Sequence, residues 1–524
     1  MKLIDHEVIG TNSVARDFIA GREPISSRFP NRTITLEFCR KRSWQGASRS
    51  RLRQLAEQSM APMMASDRQL ASLDLLGSPE SVVVATGQQI GMMGGPMYTL
   101  YKIRSAVAEC RLIKASLGVE AVPVFWMEDN DHDAAEASQV LLPGADGLPS
   151  TITTWDGADP RMPVSMRRVD SAMHASVADA AAMLRGRYAE STRTRVLDAW
   201  APETSWGDAF LMMLAPYLQR WGVLVVRASH IIESGMHAPL VMREVEELAI
   251  TKALQEGSQR CLDMGLSVQA KPADFGFFVI DASGRRRPDA LEAGLAERAR
   301  NAVAQFSPSV LTRPLVQDAI LPTVGSVLGA AELAYHAQLC EAYAACGIEM
   351  PVPMLRHGAT LLTPKIARLV AKADTVPANF LRSWSTIERE LAMQLTQDMF
   401  PDAQAKDAEV DRLLAPYHEA AERTDVTLVP TVAAQRSGIR AALDALEGKI
   451  RSAIKKRNTA TLDRARTIHS ALMPNDTLQE RVFSLATWES QIGVEALCTA
   501  LDVFDAVGLG HHVLIDIPSE QTPD

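Results

Sequence analysis

No two cysteines in this chain are spaced CxxC. None of the six, Cys39, Cys110, Cys261, Cys340, Cys346 and Cys498, lies among histidines at zinc-ligand spacing. A zinc ribbon or finger is therefore excluded, and no residue is assigned as a metal ligand on this ground. Free thiols in a reducing cytoplasm are the expectation instead of a disulfide framework. No apolar run is long enough to span a bilayer. The start, MKLIDHEVIG, has no basic region followed by an apolar core, so no signal peptide is expected. Positive charge is in deficit: the formal net charge is -9. That argues against nucleic acid as a partner, since binding would need a basic footprint, although a local basic groove stays compatible with it. Three fingerprints are also missing, namely GxxxxGK[ST], GxGxxG and HExxH, which removes the standard mononucleotide, dinucleotide and metalloprotease readings.

What is present is the composition of a globular protein, 47% hydrophobic and 22% charged. At 524 residues the chain is too long for one ordinary core, so two or three units are expected. The most informative stretch is Ser81 to Glu136. Val82, Val83 and Val84 form a β-branched run that leads into a loop with Gly87, Gly91, Gly94 and Gly95. Pro96 opens a segment of helical spacing up to about Ser116, and Gly118 is a stop signal. Ala121 to Trp126 is a second apolar run. It ends in Glu128, Asp129, Asn130, Asp131, His132 and Asp133. Strand, glycine loop, helix and strand make a βαβ unit. In an open parallel sheet both polar clusters would face the crevice beyond the strand ends.

Further strand-to-helix units are expected along the chain. One has a strand at Val223 to Val226 and a helix from about Ser234 to Glu256. Another has a strand at Thr323 to Leu328 and a helix from Ala331 to Cys346, with a next strand at Pro351 to Leu355. Repetition of this pattern predicts an α/β parallel sheet covered by helices. Thr33 to Phe38 reads as a strand, and Arg51 to Leu76 has helical spacing. Val268 to Ile280 with a turn at Ser283-Gly284 reads as a small hairpin, followed by a solvated basic run, Arg285, Arg286 and Arg287. From about Thr386 strand signals vanish. Val432, Ile439, Leu443, Leu446, Ile450 and Ile454 recur close to a coiled-coil seam. Two long helices joined near Asp425 to Pro430 predict an antiparallel hairpin, which packs on itself or pairs with a second subunit. His512 to Ile517 reads as a last strand returning to the main sheet. The expected layout is a core over 1–385, with insertions at about 141–220 and 256–305, a helical arm over 386–475, and a C-terminal segment, 476–524, returning to the core.

Three clusters carry chemistry. In the first, the glycines let a ligand approach the backbone and the following helix start favours anions. Tyr98 and Lys102 lie four apart on one helix face, and Lys102 is placed to meet a group such as phosphate. In the second, Asp131, His132 and Asp133 suit general acid–base work or orientation of an amine. A metal held with Glu128, or a plain helix cap by Asp131 or Asp133, are the alternatives. The third places Glu332 and Tyr335, and Glu332 and His336, on one face of a helix, with Gln338 beyond. Arg313, Gln317 and Asp318 precede the strand and could reach the same crevice.

The stretches VATGQQIGMMGGPMYTLYK, VPVFWMEDNDHDAAE and FSPSVLTRPLVQDAILPTVGSVLGAAELAYHAQ, with NDTLQERVF and GLGHHVLIDI later, resemble the bacillithiol biosynthesis cysteine-adding family, BshC. The likeness runs in order over nearly the whole chain. It implies a Rossmann-like core with connecting insertions, similar to class I aminoacyl-tRNA synthetases, and a coiled-coil arm that makes a homodimer. It also implies a cytoplasmic ligase that joins cysteine, through its carboxyl, to the amine of glucosaminyl-malate. On that pattern Gln88, Gln89, Gly94, Pro96, Tyr98 and Lys102 match the first motif, with Gly95 in the same turn. Asp131, His132 and Asp133 match the second, and Glu332, Tyr335, His336 and Gln338 the third. Asn130 stands where the family usually has a carboxylate, and Ser326 and Leu328 depart from the third motif.

A free carboxylate is a poor electrophile, so ATP is the expected co-reactant, giving an acyl-adenylate or an acyl-phosphate. The Gly94–Gly95 turn and Lys102 would then meet phosphate charge. His132, tuned by Asp131 and Asp133, would take the amine proton, and Arg313 or Arg356 would meet the malate carboxylates. Other readings remain open at this stage: another adenylating or nucleotidyl-transferring enzyme on the same fold, or a non-catalytic dimer that senses a nucleotide or thiol.

Overall fold

The computed structural model describes residues 2–5, 9, 13–131, 133–144, 149–154, 161–281, 284–286, 288, 292–395, 399–400 and 402–518. The chain divides into two compact units, Met1–Pro364 with Thr477–Asp524, and Lys365–Asp476.

The strands of the first unit, in chain order, begin with β1 (Lys2–Ile4), β2 (Val82–Gln89) and β3 (Ala121–Glu128), then β4 (Gln139–Pro143), β5 (Pro149–Thr153) and β6 (Leu224–Arg227). They continue with β7 (Phe277–Asp281), β8 (Gly284–Arg286) and β9 (Phe306–Pro308), and end with β10 (Thr323–Leu328), β11 (Val352–Leu355), β12 (Gly358–Leu362) and β13 (His512–Asp516). Five of them form an all-parallel sheet in the order β11-β10-β2-β3-β6. Most of its residues are apolar and buried, because helices cover both faces of such a sheet, and the polar, half-buried ones stand at the carboxyl ends of β2 and β3. Val82 and Val84 pack on one side with Ile113 and Val327, while Val83 and Ala85 join the larger core on the other, as strand alternation requires.

Strand order reverses between β2 and β10. From β2 the chain moves out to β3 and β6, and it later returns to β10 and β11 on the opposite side. A crevice opens at such a switch point, beyond the carboxyl ends of the strands. The helix after β2, Tyr98–Leu117, ends at Gly118, whose φ of 70° is the left-handed cap that glycine adopts without strain.

Several elements differ from the sequence expectation. Thr33 to Phe38 is not a strand: Thr35 caps the helix Leu36–Ser43, its side chain accepting from the Phe38 N–H at 3.1 Å. The span Arg51 to Leu76 is two helices, Arg49–Met60 and Asp67–Gly77, the second started by a Ser66/Gln69 capping box. The helix expected over Ser234 to Glu256 is broken at Leu248, which has φ 52°, into Ala238–Glu247 and Ala249–Asp263. The helix expected over Ala331 to Cys346 is two, Ala330–His336 and Cys340–Cys346. β7 and β8 form the expected hairpin, and β9 adds to it. Ser283 and Arg287 lie outside the described residues. β13 does not join the main sheet. It pairs antiparallel with β1 and parallel with β12 in a separate three-stranded sheet.

In the second unit, the helices Ala403–Thr424 and Val429–Arg457 run antiparallel, joined at Asp425 to Leu428. The expected seam is shifted at one position. Leu446 is 54% exposed, and Glu447 takes the inward place, paired with Lys406. Steps of three or four residues both fit a helix face, so spacing alone does not separate the two. All six cysteines are free thiols.

Candidate active site

A cavity of about 470 Å³ lies at the switch point within the first unit. Gly87, Gln88 and Gln89 at the end of β2 line it, with Glu128 at the end of β3 and Asp131 after it, Gly329 to Glu332 after β10, and Arg356 after β11. Tyr98, Lys102, Arg313, Tyr335 and Arg481 complete its polar wall. The three sequence clusters therefore meet at one place.

Lys102 stands at the floor, with its side chain 4% exposed. Its ammonium donates to the Gly87 carbonyl at 2.8 Å and to Gln88 Oε1 at 2.9 Å, and meets Glu332 Oε2 at 2.5 Å. An ammonium has three protons, so all are committed within the protein. Burial lowers the Lys102 pKa, and Glu332 opposes that shift. Burial alone would raise Glu332, but the Lys102 charge beside it carries its carboxyl below the ordinary value.

Arg313 starts the helix Arg313–Ile320 and reaches over β2 because residue 87 is glycine. A Cβ there would lie 3.0 Å from its Nη1. Arg313 donates to Gln317 Oε1 at 3.2 Å and lines the cavity together with Tyr335. Burial works against its charge, yet Tyr335, Glu128 and Glu332 raise its pKa overall. Burial, then the Glu332 charge, push the Tyr335 phenol up to about 12. Tyr98 takes a hydrogen bond from Gln88 Nε2 at 3.4 Å, and the Arg356 guanidinium lies 5.7 Å from its ring centre. Arg356 pairs with buried Glu480 and donates to the His357 carbonyl at 2.7 Å. Glu480 also accepts from the Ala359 N–H at 3.1 Å.

At the acidic side, Trp126 donates its indole N–H to Glu128 at 3.0 Å, and Gln89 donates to Asp131 at 2.5 Å. Asp133 caps the short helix Ala134–Ala137, accepting from the Glu136 N–H at 3.0 Å. His132 lies outside the described residues. Asn130 is buried and donates to Ser307 Oγ at 2.6 Å, a bond that an ionised carboxylate could not donate. Among the described residues no group of histidine, cysteine, aspartate and glutamate could hold a metal ion.

Other expected site residues stand apart from the cavity lining. Gly94 and Gly95 are buried under the helix Leu485–Leu501. A Cβ on Gly94 would lie 2.8 Å from that of Leu485, and the Gly95 carbonyl accepts from the Leu485 N–H at 2.9 Å. Pro96 bridges to Ser484 in the same contact. The glycine turn is thus closed by packing rather than opened to the cavity. Gln317 donates to Asp318 at 2.9 Å, and fully buried Asp318 also accepts from the Tyr343 hydroxyl at 2.5 Å. Gln338 bonds Ser258 and Ala270, each at 2.8 Å. His336 is buried beside the cavity with Nε2 unpartnered, and burial, then Arg313, push it down to about 3.

Sequence reasoning missed Arg481 as a lining residue, along with Phe278, Pro308, Ser309 and Val310. Arg481 belongs to the short helix Gln479–Val482, which is pinned to β12. Gln479 accepts from the Leu361 N–H at 2.8 Å and donates to its carbonyl at 3.1 Å. The only signal for it was the motif NDTLQERVF, far from the glycine loop in the chain.

Residues 1–357 match the family model described as the BshC N-terminal Rossmann-like domain of bacillithiol biosynthesis, and residues 359–515 match the corresponding C-terminal coiled-coil domain. A protein of Salinibacter ruber is 27% identical over 80% of this chain and 80% of its own length. One of Chlorobaculum tepidum is 26% identical over 86% of each. One of Koribacter versatilis is 26% identical over 95% of this chain and 96% of its own. Each of the three bears the name "Putative cysteine ligase BshC".

Proposed function

The chain belongs to the BshC family of bacillithiol biosynthesis, and on that premise we propose that it is a ligase joining the carboxyl of L-cysteine to the amine of glucosaminyl-malate. This would be the last step of bacillithiol synthesis. The observation that carries the reading is the cavity at the β2/β10 switch point, where all three motif clusters meet in one mixed-charge wall.

The chemistry suits such a wall. The acceptor carries an amine, sugar hydroxyls and carboxylates. The cavity offers carboxylates at Glu128 and Asp131 and cations at Arg313, Arg356 and Arg481. Activation of the cysteine carboxyl would come from ATP. In this proposal His132, beside Asp131, takes the proton lost by the attacking amine. Lys102 acts from the floor: with its protons committed to Gly87, Gln88 and Glu332, it orients those groups and balances charge. The arm is proposed to pair with a second copy, since Leu413, Tyr417 and Leu446 remain exposed on its helices. Light scattering on the full chain would test that.

The test of the function is the small-thiol pool of the host, measured by mass spectrometry with and without the gene. Loss of bacillithiol with build-up of glucosaminyl-malate is the expected result. An unchanged pool in a host that makes bacillithiol would count against the assignment.

A further inference from the structure

The carboxylate of Glu332 is only half used. Its Oε2 meets Lys102 Nζ at 2.5 Å and accepts from the Gly329 N–H at 2.7 Å. Its Oε1 has no hydrogen-bond partner among the described residues, and the side chain, 21% exposed, lines the cavity. The two bonds to Oε2 fix the group from both sides. One belongs to the capping box that starts the helix Ala330–His336, and the other to a lysine with no proton left to give elsewhere. Such a group is pre-organised, so a ligand meeting Oε1 need not order it first.

We propose that Glu332 Oε1 accepts a hydrogen bond from a sugar hydroxyl of the bound ligand. This rests on the ligase reading, which supplies two ligands with such hydroxyls: the glucosamine ring of the acceptor and the ribose of a nucleotide. Charge selects a hydroxyl over an ammonium. Lys102 already neutralises this carboxylate, and Arg313 lies close enough to bias it further. A second cation at Oε1 would face both charges. A neutral O–H donor gains a charge-assisted bond with no such repulsion. A proton-accepting role is disfavoured as well, because a carboxyl held below its ordinary value is a weaker base. Space agrees: Glu332 lines the cavity of about 470 Å³.

The test is a binding series by calorimetry on the full-length protein. ATP is compared with its 2′-deoxy and 3′-deoxy forms. Glucosaminyl-malate is compared with analogues lacking one ring hydroxyl. In the wild type, one analogue of one series should bind about 10–100-fold more weakly than its parent, the range for a hydrogen bond to a charged group. In Glu332→Gln that same analogue and its parent should differ by less than about threefold. The series that shows the loss identifies the ribose or the glucosamine as the source.

Glu332→Gln leaves Lys102 without its counter-charge, so Lys102→Met combined with Glu332→Gln serves as a second background in which no buried charge is stranded. The wild-type series stands whether or not either variant folds. If no deoxy analogue weakens binding to the wild type, or if the loss persists undiminished in the variants, the assignment is overturned. If neither parent ligand binds at all, the ligase reading itself fails and this assignment with it.

Discussion

The ion pairs of the cavity and those of the helical arm use the same residue types but sit in opposite surroundings. Arg356–Glu480 is buried and Lys102–Glu332 is largely so, and their remaining bonds go to backbone and neighbouring side chains. Arg436–Asp411 and Arg440–Asp407 lie along the exposed flanks of two antiparallel helices. A buried pair has lost its water, so removing one partner strands a charge that nothing replaces. An exposed pair is screened by solvent and gives little net stability. The cavity is therefore a place where sequence changes should be felt sharply in both stability and function, while the arm tolerates them. Between the extremes lies Lys406–Glu447, a charged pair that occupies the inward seam position within the arm.

The largest effect is expected at the chemistry. His132→Ala should lower turnover about 100- to 10,000-fold, with ligand binding kept, because general acid–base catalysis supplies that range. Turnover that survives the change removes the base role. Next comes stability. Glu480→Ala strands Arg356 and should cost about 3–5 kcal/mol in chemical denaturation, where an exposed pair would give a shift near zero.

Acid sharpens the contrast further. His336 and His357 are both pushed down to about 3, chiefly by burial, and His357 has both ring nitrogens unpartnered. Folded, they stay neutral. Unfolded, they take a proton near pH 6.5, so below that value the unfolded state binds more protons. Their contribution is complete above pH 6.5 and declines as pH falls toward 3, by about 1.4 kcal/mol per pH unit for each histidine. Glu332 and Glu480, both held below their ordinary values, add to the loss in stronger acid. Denaturation at pH 7 and pH 5 checks this, and equal stabilities would contradict it. The smallest effect is in the arm: Arg440→Ala should cost about 0–1 kcal/mol by the same measurement. A larger loss would show that the arm's pairs act as a network.

The residues that could be read from the sequence are those whose signal is local. Val82 to Val84, the glycines and the run from Ala121 to Trp126 carry strand, turn and strand within one stretch, and the βαβ unit follows. Repeating the pattern near Val223 and Thr323 gave the parallel sheet. What stayed hidden depends on partners distant in the chain. Lys102 reads as an anion seat until Glu332, Gly87 and Gln88 are seen to use its protons. Gly94 and Gly95 read as a ligand loop until Leu485 is found against them. Asp133 proved to be a helix cap, which spacing allowed equally for Asp131. Leu248 breaks a helix although nothing in its own side chain demands it. β13 pairs with β1 and β12 because strand partners are set by the tertiary fold, which an apolar run does not specify.

If cysteine ligation takes place in the switch-point cavity, the purified protein should carry it out unaided. The most direct measurement incubates the purified full-length protein with L-cysteine, glucosaminyl-malate and ATP, and follows amide product and nucleotide by mass spectrometry. The account predicts the cysteinyl amide together with an equal amount of AMP or ADP, and loss of both in His132→Ala. Nucleotide consumption without the amide, or amide formation that persists at the wild-type rate in His132→Ala, would contradict it.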